Sequence, residues 1–240
     1  PAVEEVQDGM ELAMKEFAEP PIELFIEDSA TDPKQGVSAF NKLVDSQKID
    51  LAVVTLSAIA SAVTPIAIER QIPILQTLVS TPDIAKQSKY TFRYFHSSDQ
   101  DAAIGVKIAV EKLKAKTVGI IHINDEYGRT QVKFFKEGFV AAGGKILSEE
   151  SYLNAETDFR TSLLKIKSAK PDIIYLVGLR EIAVILRQIK ELNITTPLLS
   201  NAALSSYTFR QAAAGSDEGA YLVAPQFYFE NPSPLTEGFL

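Results

Sequence analysis

Short apolar runs recur along this chain, and segments of helical periodicity separate nearly all of them. "DLAVVT" (50–55), "IPIL" (72–75), "TVGIIHI" (117–123), "DIIYLVG" (172–178), "PLLS" (197–200) and "GAYLVA" (219–224) are each bounded by polar or turn residues. Several are apolar at every position, so both faces of the strand they form must be covered. Burial on both faces belongs to parallel sheets, because a crossover helix returns the chain to start each new parallel strand. The predicted class is therefore α/β, with mostly parallel sheets carrying helices on both faces.

The helical segments fit between the strands. Residues 2–18 place Val3, Val6, Met10, Ala13, Met14 and Phe17 at helix spacing, and Pro20-Pro21 ends the pattern. Asp32-Pro33 reads as an N-cap followed by a first-turn proline, with Val37, Phe40, Leu43 and Val44 on the apolar face. Further helices are expected from Ser57 to Arg70, from near Ser98, from Arg129 to Ala142 with Gly143-Gly144 as its stop, after Asp158, after Leu179, and near Tyr207–Ala214. "IELFI" (22–26), "YTFRYF" (90–95) and "KILSEESYL" (145–153) complete a set of about nine strands.

Nine strands are many for one sheet. The polar "HSSD" (96–99) follows a strand without a helix of its own, and the proline-rich "PQFYFENPSP" (225–234) breaks the rhythm. These two crossings predict a first lobe over 1–96, a second over 97–225, and the start of a return to the first over 226–240.

Composition removes several function classes. With 31 Asp and Glu against 24 Lys and Arg, the net charge is −7 and no basic cluster stands out, so nucleic acid is not an expected partner. The chain has no cysteine, which excludes disulfides and thiolate metal sites. Leu51–Ile68 is uncharged, but Thr55, Ser57, Ser61, Thr64 and Pro65 interrupt it, and a strand running into a buried helix is the better reading. No basic-then-apolar leader follows Pro1, so an export signal is expected to have been removed or never present.

Enzyme signatures are absent as well. Neither phosphate-binding glycine pattern is present, nor is a G-x-S-x-G elbow. His96 and His122 lack metal-ligand spacing; His122 reads as a core or edge residue with a hydrogen-bond partner, and His96 as a surface residue near the first crossing. The expectation is a protein that is not an enzyme and needs no metal or cofactor.

What remains is binding at strand ends, where ligands collect on parallel sheets. In "VVTLSAIAS" a strand stops near Thr55 and a helix starts near Ser57, giving first-turn amides and a hydroxyl suited to an anion. Alone, a serine that merely caps its own helix is the better explanation. In "LQTLVSTPD", Ser80 offers a hydroxyl and an amide and Leu78 a carbonyl, although alone an ordinary Ser-Thr-Pro turn is the better explanation. In "INDEYGRT", Gly128 lets the chain turn closely into the next helix. Tyr127 would then present a ring and a hydroxyl to a small ligand, or simply cap that helix at the surface.

"EDSATDPKQGVSAFNKLV" (27–44), "IHINDEYGRT", "AETDFRTSLLKIKSAKPDIIYLVG" and "ILRQIKELNITTPLLS" resemble, in the same order, the leucine/isoleucine/valine-binding protein family. These are type I periplasmic substrate-binding proteins of ABC transporters. The resemblance implies a two-lobed clamshell with a ligand cleft between lobes, an extracytoplasmic location (periplasmic or lipid-anchored), a monomer, and a membrane permease as partner. By position it implies that Ser57 and Ser80 match the hydroxyls that hold the ligand's carboxylate and ammonium, Leu78 the carbonyl that receives the ammonium, and Tyr127 the aromatic that closes over the ligand. It also implies that the family's first strand is missing here and that the return to the first lobe is truncated. A sensing domain of a signalling receptor would share the same clamshell; an α/β enzyme ranks below both.

Two positions depart from the family. Asn201 and Ala202 stand where amino-acid binders carry an acidic residue, and Leu179 stands where the branched-chain binder has a tyrosine. A buried ammonium without its counter-charge is costly. The expected ligand is therefore a small carboxylate that can lack an α-ammonium, such as an aromatic or aliphatic acid, with a branched-chain amino acid as the alternative.

Overall fold

The computed structural model describes residues 2–16, 22–205 and 211–224. The chain divides into two compact units, Pro1–Phe95 and His96–Leu240.

The first unit begins with helix α1 (Ala2–Glu16). Helix α2 (Pro33–Lys42) is capped by Asp32, whose carboxylate accepts the Gln35 N–H at 2.9 Å, and continues in wider turns over Leu43–Gln47. Strand β1 (Ala52–Thr55), helix α3 (Ser57–Arg70), strand β2 (Ile74–Thr77), a short turn of helix at Ile84–Lys86 and strand β3 (Thr91–Tyr94) follow. The strands pair in parallel in the order β1-β2-β3. Ala52, Val54 and Ile74 lie on one face with Phe40, Ile59, Ala60, Val63 and Ala67 from α2 and α3. Burying a side chain such as Ile59 or Val63 contributes about 1.5–3 kcal/mol. Gln76 enters the same face without leaving its amide N–H bare: it donates to Thr64 Oγ1 at 2.9 Å, and that hydroxyl donates to Ala60 O at 2.6 Å.

The second unit carries α4 (Ser98–Lys107), β4 (Thr117–Ile123), α5 (Glu126–Ala141), β5 (Lys145–Tyr152), α6 (Arg160–Ala169), β6 (Ile173–Val177), α7 (Ile182–Glu191), β7 (Leu198–Ser200) and β8 (Tyr221–Leu222). All pairs are parallel, in the order β5-β4-β6-β7-β8. Side chains alternate across β4. Val118 and Ile120 join Phe135 and Phe139 of α5, while Ile121 and Ile123 join Leu163, Ile166 and Ile185 of α6 and α7. Two cores thus sandwich one sheet, which is why its central strands are apolar throughout.

The strand order reverses beside β4. From β4 the chain goes outward to β5, then returns past β4 to β6. The connections after β4 and β6 therefore leave in opposite directions, the arrangement at whose carboxyl ends ligands collect in open α/β sheets.

Several sequence expectations shift. "IELFI" forms no strand: residues 22–29 have no ladder assignment, and Ile22 and Ile26 are 64% and 55% exposed. A β-favouring run becomes a strand only where a neighbouring edge supplies hydrogen bonds and a covered face. The described residues accordingly hold eight strands, not nine. Strand β2 sits two residues later than the apolar run, since Pro73 cannot donate to the ladder, though its carbonyl accepts from Ala52 N at 2.9 Å. Helix α5 starts at Glu126, not Arg129, because Asp125 caps it by accepting the Gly128 N–H at 2.7 Å. Asp158 stands just before the α6 N-cap, Phe159, and accepts from Arg160 N at 3.2 Å. Residues 17–18 of the first expected helix, 207–210 of the last, and the 225–234 crossing lie outside the described residues.

Candidate functional site

The predicted site residues fall into two groups, one in each unit, all at or just beyond carboxyl ends of strands. In the first unit, β1 passes into α3 through Leu56, which has φ 71° and ψ 136°, and Leu78 follows β2 at φ 52°. Both are non-glycine residues at positive φ, a conformation that costs roughly 1–3 kcal/mol and persists only where surroundings enforce it. The two turns bring Ser57 and Ser80 together. The Ser80 N–H donates to Ser57 Oγ at 3.2 Å across 23 residues of sequence, and both serines are buried. Ser57 is not the cap of α3; Leu56 holds that place without a side-chain bond. Its hydroxyl instead joins the two strand ends, with its own hydrogen left to donate. First-turn amides of α3 lie beside it. Thr77 was not singled out from the sequence, yet its Oγ1 is buried without a hydrogen-bond partner one residue before Leu78. A polar residue ending an apolar strand beside a strained turn was the available signal.

In the second unit the reversal in strand order places Tyr127, Leu179 and Asn201 after β4, β6 and β7. Tyr127 lies in the first turn of α5, half-buried against both cores. Its hydroxyl accepts from Asn201 Nδ2 at 2.5 Å, and the same amide nitrogen donates to Gly178 O at 2.9 Å. Tyr127 and Asn201 are therefore brought together, 74 residues apart in sequence. Leu179 directly follows Gly178 and is half-buried. The glycine at 178 is dictated by packing: a Cβ there would lie 2.0 Å from the Tyr152 hydroxyl, which donates to Val177 O at 3.3 Å. Gly178 and Tyr152 had no motif to betray them, since their role depends on two strands meeting.

The electrostatics of this sheet end are those of a poorly hydrated place. Burial pushes the Tyr127, Tyr152 and Tyr175 phenols well above the usual range, and all three stay neutral. Burial also raises the Asp125 carboxyl, offset by the Gly128 N–H and by Arg129. Glu181, at the start of α7, is 3% exposed; one oxygen accepts from Ala155 N at 3.1 Å and the other has no hydrogen-bond partner. Glu181 was not singled out from the sequence, because its burial depends on the packing of α7 against the sheet. The histidines behave differently from one another. His122 is buried and its Nδ1–H donates to Ile123 O at 2.8 Å, whereas His96, far from a free surface side chain, holds Asp101 at 2.6 Å. Among the described residues, no group of three or more His, Cys, Asp or Glu is placed to hold a metal ion, and no helix is long and apolar enough to cross a membrane.

The profile of the periplasmic binding protein family matches residues 2–240. The chain belongs to this family. The Leu/Ile/Val-binding protein BraC3 of Rhizobium johnstonii is 28% identical over 217 residues, 89% of this chain and 57% of that protein. This periplasmic-binding-protein chain thus spans a little over half the length of the curated relatives it matches. Among solved structures, a leucine-binding protein LivK from Thermotoga maritima superposes with a TM-score of 0.89 at 23% identity, covering 98% of this chain and 68% of that one. The substrate-binding protein LivJ of Streptococcus pneumoniae, in complex with isoleucine, gives 0.86 at 24% identity, covering 98% and 69%. A solute-binding protein of an ABC transporter from R. palustris, in complex with benzoate, gives 0.85 at 22% identity, covering 91% and 62%. The type I periplasmic-binding fold is thereby established.

Proposed function

We propose that the chain is the ligand-binding part of an extracytoplasmic solute-binding protein of an ABC transporter. It takes a small carboxylate-bearing molecule and presents the liganded form to a membrane permease. The observation that carries this reading is the bond from Ser80 N to Ser57 Oγ, which holds two serines and the α3 amides at one pair of strand ends. Hydroxyl and amide donors grouped at a helix start suit a carboxylate. The Leu78 carbonyl, on its strained turn, is an acceptor for a donor group of the same ligand.

In the second unit, Tyr127, Leu179 and Asn201 are the candidate ligand contacts. The Tyr127 hydroxyl and the Asn201 amide are committed to each other, so they offer shape, ring surface and excluded water more than new hydrogen bonds. Neither Asn201 nor Ala202 supplies a counter-charge for an ammonium, so the ligand class extends beyond amino acids to aromatic and aliphatic acids. Leucine, isoleucine and valine, which the BraC3 relative binds by name, and the benzoate held by the R. palustris protein share a carboxylate and an apolar body. The chain acts as a monomer, without cofactor, metal or nucleic acid.

Isothermal titration with leucine, valine, benzoate and a short fatty acid tests this. Saturable binding of at least one is expected, weakened by roughly 1–3 kcal/mol in Ser57→Ala and in Ser80→Ala, the loss of one partner to a charged group. Undiminished binding in both variants removes the serines from the site. Tight leucine binding with no binding of the simple acids refutes the extension beyond amino acids.

A further inference from the structure

A guanidinium stands near the carboxyl end of the first unit's sheet, bonded to the turn that carries Ser80. We infer, on the solute-binding reading proposed above, that Arg93 is a positioning residue for the ligand's carboxylate. It holds the Ser80–Thr81 turn and supplies the positive charge that makes this end of the sheet prefer an anion.

The placement follows from strand register. In "YTFRYF", Arg93 is the one charged residue of an otherwise uncharged run. Strand β3 pairs with β2 so that Thr91 meets Ile74 and Arg93 meets Gln76, which puts Arg93 on the sheet face that α2 and α3 cover. Phe92 and Tyr94 take the other face and are the exposed residues of the strand. On the covered face an arginine can bury its stem only if its head finds a partner. Arg93 is half-buried, and its Nη1 donates to Thr81 O at 2.8 Å.

Thr81 directly follows Ser80, whose N–H donates to Ser57 Oγ at 3.2 Å. Arg93, the Ser80–Thr81 turn and the start of α3 are thus linked in series across the ends of β3, β2 and β1. Leu78, at positive φ, opens the same turn. A strained turn persists only where its surroundings hold it, and the Arg93 bond is one such restraint.

That bond does not neutralise the charge. Among the described residues Arg93 has no ion pair, and both Thr81 O and Gln76, its register partner, are neutral. Asp83, two residues beyond Thr81, is paired with Lys86 at 2.6 Å; Glu27 and Asp45 are paired with Lys42 and Arg70. A half-buried guanidinium without a counter-charge keeps its field, which favours a carboxylate over a neutral group at the neighbouring serines.

Isothermal titration of the whole protein with benzoate against benzamide, and leucine against leucinamide, tests this, since each pair differs at the carboxylate alone. Wild type should bind each acid more tightly than its amide. In Arg93→Gln the acid affinity should fall about fivefold or more while the amide affinity holds, and the loss should shrink at high salt. Arg93→Lys, which keeps the charge but not the planar fork, should recover most of that loss. Where Arg93→Gln fails to fold by circular dichroism, Arg93→Met, which keeps an apolar stem, gives the same comparison. An equal fall for acid and amide shows a structural residue only, and an unchanged acid affinity shows no role; either overturns the inference and leaves the solute-binding reading standing. Saturable binding of neither acid by the wild type overturns both.

Discussion

Asn201 is the residue whose replacement discriminates most sharply between a structural clamp and a free ligand contact. Its Nδ2 donates to Tyr127 Oη and to Gly178 O, and its Oδ1 lies 3.3 Å from the Ser200 hydroxyl. In Asn201→Ala, two hydrogen bonds worth about 1 kcal/mol each disappear, and the Gly178 carbonyl stays buried without its donor, a further penalty of about 1–2 kcal/mol. The expected destabilisation is about 3 kcal/mol. Tyr127→Phe removes only the first of these bonds and keeps the packing, so about 1 kcal/mol is expected. The double variant should fall short of the sum by about 1 kcal/mol, because both single changes remove the same bond. The chain has no tryptophan, so unfolding in urea is best followed by far-ultraviolet circular dichroism, with hydrogen exchange in β6 and β7 reporting the second unit alone. A loss under about 0.5 kcal/mol in Asn201→Ala, within the range of an ordinary surface change, would refute the clamp. Asn201 would then be available to a ligand in full.

Two further changes test how the sheet ends are built. At Gly128 an added Cβ would lie 1.9 Å from Ile123 O, so Gly128→Ala must displace the β4–α5 turn; a destabilisation above about 3 kcal/mol is expected in urea unfolding, and a near-neutral result would show that the turn adapts. Asp172 accepts from Lys116 N, Thr117 N and Thr117 Oγ1 at 2.8–2.9 Å, and these bonds hold its carboxyl below the usual range. Its contribution is complete at neutral pH, where both folded and unfolded carboxyls are ionised, and is lost as pH falls from about 4 through the folded value, because the unfolded group takes up its proton first. Asp172→Asn should therefore be less stable than wild type at pH 7, with the gap closing below about pH 4; a gap independent of pH would show that charge plays no part.

Much of the fold was legible because it is written locally. The extents of β4 and α3 follow from the run "TVGIIHI" and from the stretch Ser57–Arg70, with no knowledge of what packs on them. "IELFI" has the same local signal and forms no strand, because a ladder needs a partner edge that no property of residues 22–26 can supply. The candidate site divides along the same line. Ser57, Ser80 and Tyr127 could be named as polar groups at strand ends, but the residues alone explained Ser57 and Ser80 better as a cap and a turn, and Tyr127 equally well as a surface cap.

What the sequence by itself determined, then, is the alternation of strands and helices, the parallel class and the acidic surface, all of which depend on residue type and spacing along a few turns of chain. Tertiary structure alone decided that Ser57 Oγ receives an amide 23 positions away, that Tyr127 is tied to Asn201 across 74, and that an unpartnered Glu181 oxygen is buried at the same sheet end. Hydrogen bonds of this kind act over about 3 Å and carry no periodicity, so they exist only once the sheet has fixed which strand ends are neighbours.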